Sequence, residues 1–210
     1  MASEGAPGTI VILNGTPRSG KSSIAAAIQE RFAGVWMNLG VDTFKRMTPA
    51  RFQPGLGQRP GGERPDLEPL VVTLYRGMYE AIARHSRLGV NVVVDAAHHD
   101  AYSVPRGILG ASAHQLTGLP ALFVGVRCPV EVVLERRRAT WGGVGYAQGG
   151  TVRDPVKLWE QAVHEPGVYD LEVDTSVLSP EESADQIRRR LDDGSPPSAF
   201  DRLRAQARSM

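Results

Sequence analysis

The sequence predicts an α/β protein: a three-layer sandwich built on a five-stranded parallel sheet. Three observations carry that prediction. Apolar runs at residues 9–13, 90–94, 121–126 and 169–173, with a shorter one around 35–41, are dense in Val, Ile and Leu and lack polar alternation, the pattern of strands covered on both faces. Helical stretches fall between these runs, as parallel crossovers require. The first run is followed by a glycine-bounded loop and then an alanine-rich helical stretch, which makes a strand-loop-helix unit.

The clearest helix is predicted over residues 67–88, where Leu67, Leu70, Val71, Leu74, Met78, Ala81 and Ile82 recur at three and four and mark one buried face. Gly89 then stops it. Two segments break the α/β rhythm. Residues 47–65, "MTPARFQPGLGQRPGGERP", are rich in proline and glycine and have no apolar period, so they read as a long loop that is either disordered or a substrate cover. Residues 140–155, "TWGGVGYAQGGTVRDP", form a glycine-rich stretch between two helical segments and carry Trp141, Tyr146 and Arg153, as a mobile lid would. The sequence is thus divided into a domain over residues 1–193 and a polar, Pro/Ser-rich C-terminal tail over 194–210.

With 210 residues, 41% of them hydrophobic, the chain can bury one sizeable core. Its 24 basic and 23 acidic side chains leave a formal charge of +1, which supplies no field for gathering nucleic acid or an anionic membrane surface. No window approaches the roughly 20 apolar residues that span a bilayer. Cys128 is the sole cysteine, so an intrachain disulfide is impossible and a reducing cytoplasm is the expected setting. Oligomeric state is left open.

The stretch "ILNGTPRSGKSS" holds the chemistry. It matches G-x-x-x-x-G-K-S through Gly15, Gly20, Lys21 and Ser22, between an apolar strand and a helix, which is the setting the motif demands. Gly15, Thr16, Pro17, Arg18, Ser19 and Gly20 curl around a phosphate, and the helix beginning near Lys21, Ser22 and Ser23 points free amides and its positive dipole end at it. Lys21 supplies a point charge to the outer phosphates and the Ser22 hydroxyl suits Mg²⁺. ATP or GTP binding follows, with ATP and Mg²⁺ as the expected nucleotide and metal.

Acids at strand ends come next. Asp42, in "LGVDTF", ends the second strand, where the C-terminal edge of a parallel sheet lines a ligand crevice; it is either the base for an acceptor hydroxyl or a helix cap. Asp95, in "NVVVDAAHH", reads as a Mg²⁺-holding acid first and a base second. His98 and His99 beside it lack the partners of a metal site and read as solvated or structural. Arg136, Arg137 and Arg138 lead into the lid, and Arg153 sits where it closes; one or two of these arginines are expected to face phosphate oxygens.

Taken together, "ILNGTPRSGKSS", "LGVDTF", "VVVDAA", "FVGVRCP" with Arg136 following, and above all "VHEPGVYDLEVDTS" with His164, Glu165, Tyr169, Asp170 and Asp174, resemble the chloramphenicol phosphotransferase family of P-loop kinases, over about residues 9–175. The resemblance implies transfer of the ATP γ-phosphoryl group to a hydroxyl of an antibiotic. It places the acidic base on Asp42, Arg136 in the lid, and Asp174 and Thr175 near the nucleotide base, although a capping role for that last pair is an equal physical alternative. The chain departs from the family pattern in a longer proline- and glycine-rich insert after Asp42 and a longer lid, both on the acceptor side.

The leading expectation is therefore an ATP-dependent small-molecule O-phosphotransferase that inactivates an antibiotic of chloramphenicol or nucleoside/sugar type. In it Asp42, Lys21 and Arg136 are catalytic, Ser22 and Asp95 hold the metal, and Asp42, Asp95 and Arg153 meet the acceptor. A metabolite, nucleotide or sugar kinase on the same scaffold, and a nucleotide-controlled binding module, are the alternatives.

Overall fold

The computed structural model describes residues 5–141, 155–165 and 167–208. Five strands, β1 (Ile10–Asn14), β2 (Trp36–Asn38), β3 (Asn91–Ala96), β4 (Ala121–Arg127) and β5 (Leu171–Asp174), form one sheet in the order β2-β3-β1-β4-β5. Every neighbouring pair is parallel. The α/β class and the strand number agree with the sequence reading. β1 lies between β3 and β4, with Ile12 paired to both Val94 and Phe123, so the order in which strands are added switches from one side of β1 to the other. The crevice beyond the carboxyl end of β1 is the switch point where such sheets bind ligands.

Eight helices complete the described structure: α1 (Lys21–Arg31), α2 (Val41–Met47), α3 (Glu68–Arg87), α4 (Ile108–Gln115), α5 (Val130–Trp141), α6 (Pro155–His164), α7 (Pro180–Asp192) and α8 (Ala199–Arg208). Alternation along β1 divides the core. Ile10 and Ile12 pack with Val92, Val94, Phe123 and the apolar face of α3, whereas Val11 and Leu13 pack with Val93, Leu122, Ile24 and Ile28 on the opposite face. Each such aliphatic side chain contributes roughly 1.5–3 kcal/mol by leaving water. The uninterrupted apolar runs are the consequence of covering both faces.

The amphipathic pattern over residues 67–88 becomes α3, started by Pro69 in its first turn and ended before Gly89, whose φ of 81° suits glycine. The second strand is shorter than the apolar run implied. It ends at Asn38, and Asp42 lies instead in the first turn of α2. Gly40 makes that break: a Cβ there would sit 3.0 Å from atoms of Asp95, so the chain passes close under β3 and turns.

The proline- and glycine-rich segment is an ordered cover. It holds short 3₁₀ turns at Ala50–Phe52 and Gly55–Gly57, and buries Leu56 against the α3 side of the core. The C-terminal tail is corrected more sharply. Residues 199–208 form α8, which buries Ala199, Phe200 and Leu203 and stacks Phe200 on Phe123 with ring centroids 5.0 Å apart. Asp170 anchors its start by accepting from the Ser198 and Ala199 amides at 2.7 and 2.9 Å. The glycine-rich lid, with Tyr146 and Arg153, lies outside the described residues. No described helix is long and apolar enough to cross a membrane.

Candidate active site

β1 stops at Asn14, whose side chain ties three segments together: Nδ2 donates to the Val163 carbonyl at 2.8 Å and Oδ1 accepts from the His98 amide at 2.7 Å. The chain then curls tightly. Arg18 and Gly20 take positive φ angles of 75° and 99°, and the Ser19 amide bonds back to the Thr16 carbonyl at 3.0 Å. At Gly15 a Cβ would stand 2.4 Å from the Val126 carbonyl oxygen, so no larger residue fits. The loop delivers the chain into α1, which has no side-chain cap at its N-terminus. By contrast α7 opens with a complete Ser179/Glu182 capping box. The first-turn amides of α1 are therefore left for a ligand phosphate, as the motif requires.

Lys21 is buried and donates to the Gly15 and Thr16 carbonyls at 2.9 and 2.8 Å. Its ammonium lies 3.6 Å from Asp95. Burial pushes the Lys21 pKa below its ordinary value, while Asp95 foremost, then Asp42 and Glu160, oppose that shift. Ser22 gives its hydroxyl to the other Asp95 oxygen at 2.5 Å. A hydroxyl and a carboxylate so placed are the hard oxygen donors that Mg²⁺ takes, and one or two protein oxygens beside phosphates are its usual complement. The two residues assigned to the metal thus fit it.

Asp42 reaches the same space from α2. A cleft of about 1090 Å³ is lined on one side by Arg18, Lys21, Ser22 and Thr175, and on the other by Asp42, Lys45, Gln53, Leu56 and Trp159, with Asp95 among its walls. Arg136 and Arg137 of α5 border it as well, while Arg138 is exposed. Arg136 donates to the Thr175 hydroxyl at 3.0 Å and its carbonyl at 2.6 Å; Thr175 in turn donates to the Ser19 carbonyl at 2.6 Å. Thr175 therefore joins the arginine to the phosphate loop. Asp174 does something different: its carboxylate accepts the Ser176 amide and hydroxyl at 2.8 and 2.6 Å, closing a local turn.

The two histidines after β3 are structural. His98 is enclosed by Tyr75 and Tyr79, with Nε2 2.6 Å from the Tyr79 hydroxyl, and desolvation pushes its pKa down to about 3. His99 contacts Tyr102 and Trp159 and bonds the Gln58 carbonyl at 2.9 Å, which fastens the cover loop. Among the described residues no cluster of His, Cys, Asp or Glu of metal-binding size occurs.

Several contributors escaped the motif reading. Glu160 of α6 accepts from the Thr16 hydroxyl and lies 3.5 Å from His164, whose Nδ1 meets the Tyr169 hydroxyl at 2.8 Å. That chain of contacts braces the phosphate loop from the helix after the lid. The signal was present in the buried face of α6, where Val156, Trp159, Ala162 and Val163 repeat at helical spacing.

The model of the chloramphenicol phosphotransferase-like protein family matches residues 8–192, nearly the whole described sheet and its helices. The chain belongs to that family. A Mycobacterium tuberculosis (strain ATCC 25618 / H37Rv) protein carrying the provisional name O-phosphotransferase Rv2636 is 27% identical over 211 residues, covering 94% of this chain and 88% of the relative. Among solved structures, the M. tuberculosis APS kinase CysC in complex with AMPPNP and APS superposes with a TM-score of 0.62 at 19% identity, over 90% of this chain and 100% of its own. The Deinococcus radiodurans tunicamycin resistance protein does so with a TM-score of 0.54 at 22% identity, over 88% and 96% of the two chains. These likenesses establish the P-loop kinase fold. Membership of the chloramphenicol phosphotransferase-like family makes the protein a small-molecule kinase, with a small molecule as the acceptor.

Proposed function

We propose that the protein transfers the γ-phosphoryl group of ATP to a hydroxyl of a small molecule and that antibiotic inactivation is the role to test first. The observation that carries this reading is the convergence of Lys21, Asp95 and Asp42 on one cleft large enough for a nucleotide and a second small molecule. Gly15 to Ser23 hold the phosphates, with Lys21 beside the outer ones. Ser22 and Asp95 would hold Mg²⁺, which when bound neutralises charge that develops on the phosphates. Arg136, steadied by Thr175, stabilises the transferring group from the lid side. Asp174 and Arg153 are proposed beside the nucleotide base and the acceptor respectively.

The step balances on these groups. Asp42 takes the proton of the acceptor hydroxyl as its oxygen attacks the γ-phosphorus; a phosphorus–oxygen bond to the acceptor forms and the bond to the β-phosphate oxygen breaks, releasing ADP. Asp95 contacts Lys21 and Ser22 directly whereas Asp42 comes from α2 without a side-chain partner among the described residues, which suits Asp95 to the metal and Asp42 to the proton. A nucleotide-controlled binding module would need neither the acid on α2 nor the arginine on α5.

The acceptor side carries Lys45, Gln53, Arg59, Glu63 and Arg64 beside apolar Leu56 and Trp159, which favours a polar acceptor with one ring or apolar face. Mass spectrometry after incubation with ATP, Mg²⁺ and a panel of chloramphenicol, nucleoside antibiotics and hydroxylated metabolites tests the proposal. A singly phosphorylated product supports the reaction and names the acceptor class. ATP turnover that no hydroxyl compound accelerates overturns it.

A further inference from the structure

We infer that Lys45 forms an oxyanion subsite for the acceptor, so that the phosphorylated compound bears a carboxylate or phosphate group close to the hydroxyl it presents to Asp42. The inference rests on the kinase reading above and specifies its substrate.

Lys45 follows Asp42 by three positions on α2, which sets them about one turn apart on the same face, and both border the cleft. Neighbours at that spacing have side-chain origins about 5–6 Å apart. A ligand that meets both carries its reacting hydroxyl and its second group only a few bonds apart.

The lysine is held in place. A Cβ on Gly57 would stand 3.5 Å from both Cδ and Nζ of Lys45, so the stem lies along the 3₁₀ turn of the cover segment. Gln53 clamps that segment to α2 by donating to the Lys45 and Thr48 carbonyls, each at 2.8 Å. Helix and cover are thus tied into one wall.

Charge compensation sets Lys45 apart. Arg59 lies 3.5 Å from Glu63, Arg64 lies 2.8 Å from Asp66, and Lys21 has Asp95. The Lys45 ammonium has neither a carboxylate nor a hydrogen-bond acceptor among the described residues, and Asp42 is not within ion-pair distance despite its spacing. Lys45 is half-buried as a residue, and it lines the cleft with its charge uncompensated. An oxyanion entering the cleft pairs with that charge through a charge-assisted hydrogen bond, whereas a cationic acceptor would be repelled.

The test uses matched acceptors in which one hydroxyl scaffold carries a carboxylate, a phosphate monoester, or a neutral amide in the same place. Product is read by mass spectrometry, kcat/KM by coupled assay, and nucleotide Kd and melting temperature alongside. The expected result is that the wild-type protein prefers an anionic member and that Lys45→Met reduces the anionic-over-neutral ratio of kcat/KM by roughly ten- to hundredfold. Nucleotide Kd and melting temperature stay in place, and Lys45→Arg keeps the preference. The carboxylate and phosphate arms decide which oxyanion is meant. Preference for the neutral member, or an unchanged ratio in Lys45→Met, overturns the subsite and leaves the kinase reading standing. Nucleotide binding with no transfer to any member overturns the kinase reading, and the subsite with it.

Discussion

The Lys21 ammonium stands 3.6 Å from one carboxylate oxygen of Asp95 while Ser22 donates its hydroxyl to the other. One acid at the end of β3 thus orders both the phosphate-binding cation and the hydroxyl suited to a metal. Two residues adjacent in sequence meet a third that the parallel pairing of β1 and β3 brings alongside, with Leu13 opposite Asp95 in register. Asp95→Asn keeps the shape and removes the charge. Phosphoryl transfer should fall about a hundred- to thousandfold, the scale of losing one preorganised electrostatic group. A coupled ADP-release assay at saturating acceptor measures it, and near-normal turnover would remove Asp95 from the phosphate machinery.

Asp42 offers a cleaner separation of binding from chemistry. It is exposed at the start of α2, and its carboxylate has no hydrogen-bond partner or ion pair among the described residues; its charge reaches Lys21 only through space, more weakly than that of Asp95. Asp42→Asn should leave nucleotide affinity and melting temperature within experimental scatter and reduce transfer by about a hundred- to ten-thousandfold. Titration of a fluorescent ATP analogue beside the transfer assay separates the two effects. A variant with unaltered kcat would refute Asp42 as the base.

Gly15→Ala examines the phosphate loop itself. The added methyl would meet the Val126 carbonyl of β4 at 2.4 Å, which the sheet holds in place, and the Ser19 hydroxyl at 2.9 Å. The loop must open to admit it, which moves Lys21 off the Gly15 carbonyl it now bonds. Nucleotide binding should be lost and stability reduced by about 1–3 kcal/mol, the usual cost of overpacking. Isothermal titration with ATP and a urea melt report the two losses. Full affinity would show that the loop relaxes freely.

Much of this was legible in the sequence because local chemistry determined it. The spacing of Gly15, Gly20 and Lys21 between an apolar strand and a helical stretch predicts a phosphate loop, and apolar strands without alternation predict a sheet covered on both faces. What escaped reading depends on long-range packing. Asp42 was placed at a strand end because the apolar run continues to Val41, yet the tight passage of Gly40 beneath Asp95 ends the strand early. The 194–210 segment read as a tail because it is polar and Pro/Ser-rich at its start; the Phe123 ring and the Asp170 carboxylate, distant in sequence, help give α8 a place to dock. Glu160 meets Thr16 across a sequence gap that no motif spans.

The docking of α8 makes its own prediction. Phe200 is 4% exposed and stacks on Phe123, so truncating it leaves a cavity beside β4. Phe200→Ala should destabilise the protein by roughly 3 kcal/mol, at the lower end of the range for buried aromatic residues. A urea denaturation midpoint measures the change, and removal of residues 194–210 should cost at least as much. Wild-type stability in the truncated chain would show that α8 is dispensable to the core.

Burial lowers the pKa of His98, His99 and His164, so these rings should cost the fold stability in acid. Desolvation lowers the His98 pKa from 6.5 to about 3, and desolvation with Arg127 nearby lowers that of His164 to about 4. Both rings are neutral in the fold. Below about pH 6.5 the unfolded chain gains protons that the folded chain does not bind, so the neutral-ring stability present above that pH declines as pH falls through 6 and 5 toward the folded values. The loss through His98 alone amounts to roughly 2–3 kcal/mol by about pH 4.5. Replacing His98 with Gln removes its proton uptake but also alters its 2.6 Å contact with the Tyr79 hydroxyl. Stability at pH 8 should therefore fall while the slope between pH 6.5 and 4.5 becomes shallower. Chemical denaturation across that range gives both quantities, and a variant slope parallel to the wild type would exclude His98 as the titrating group.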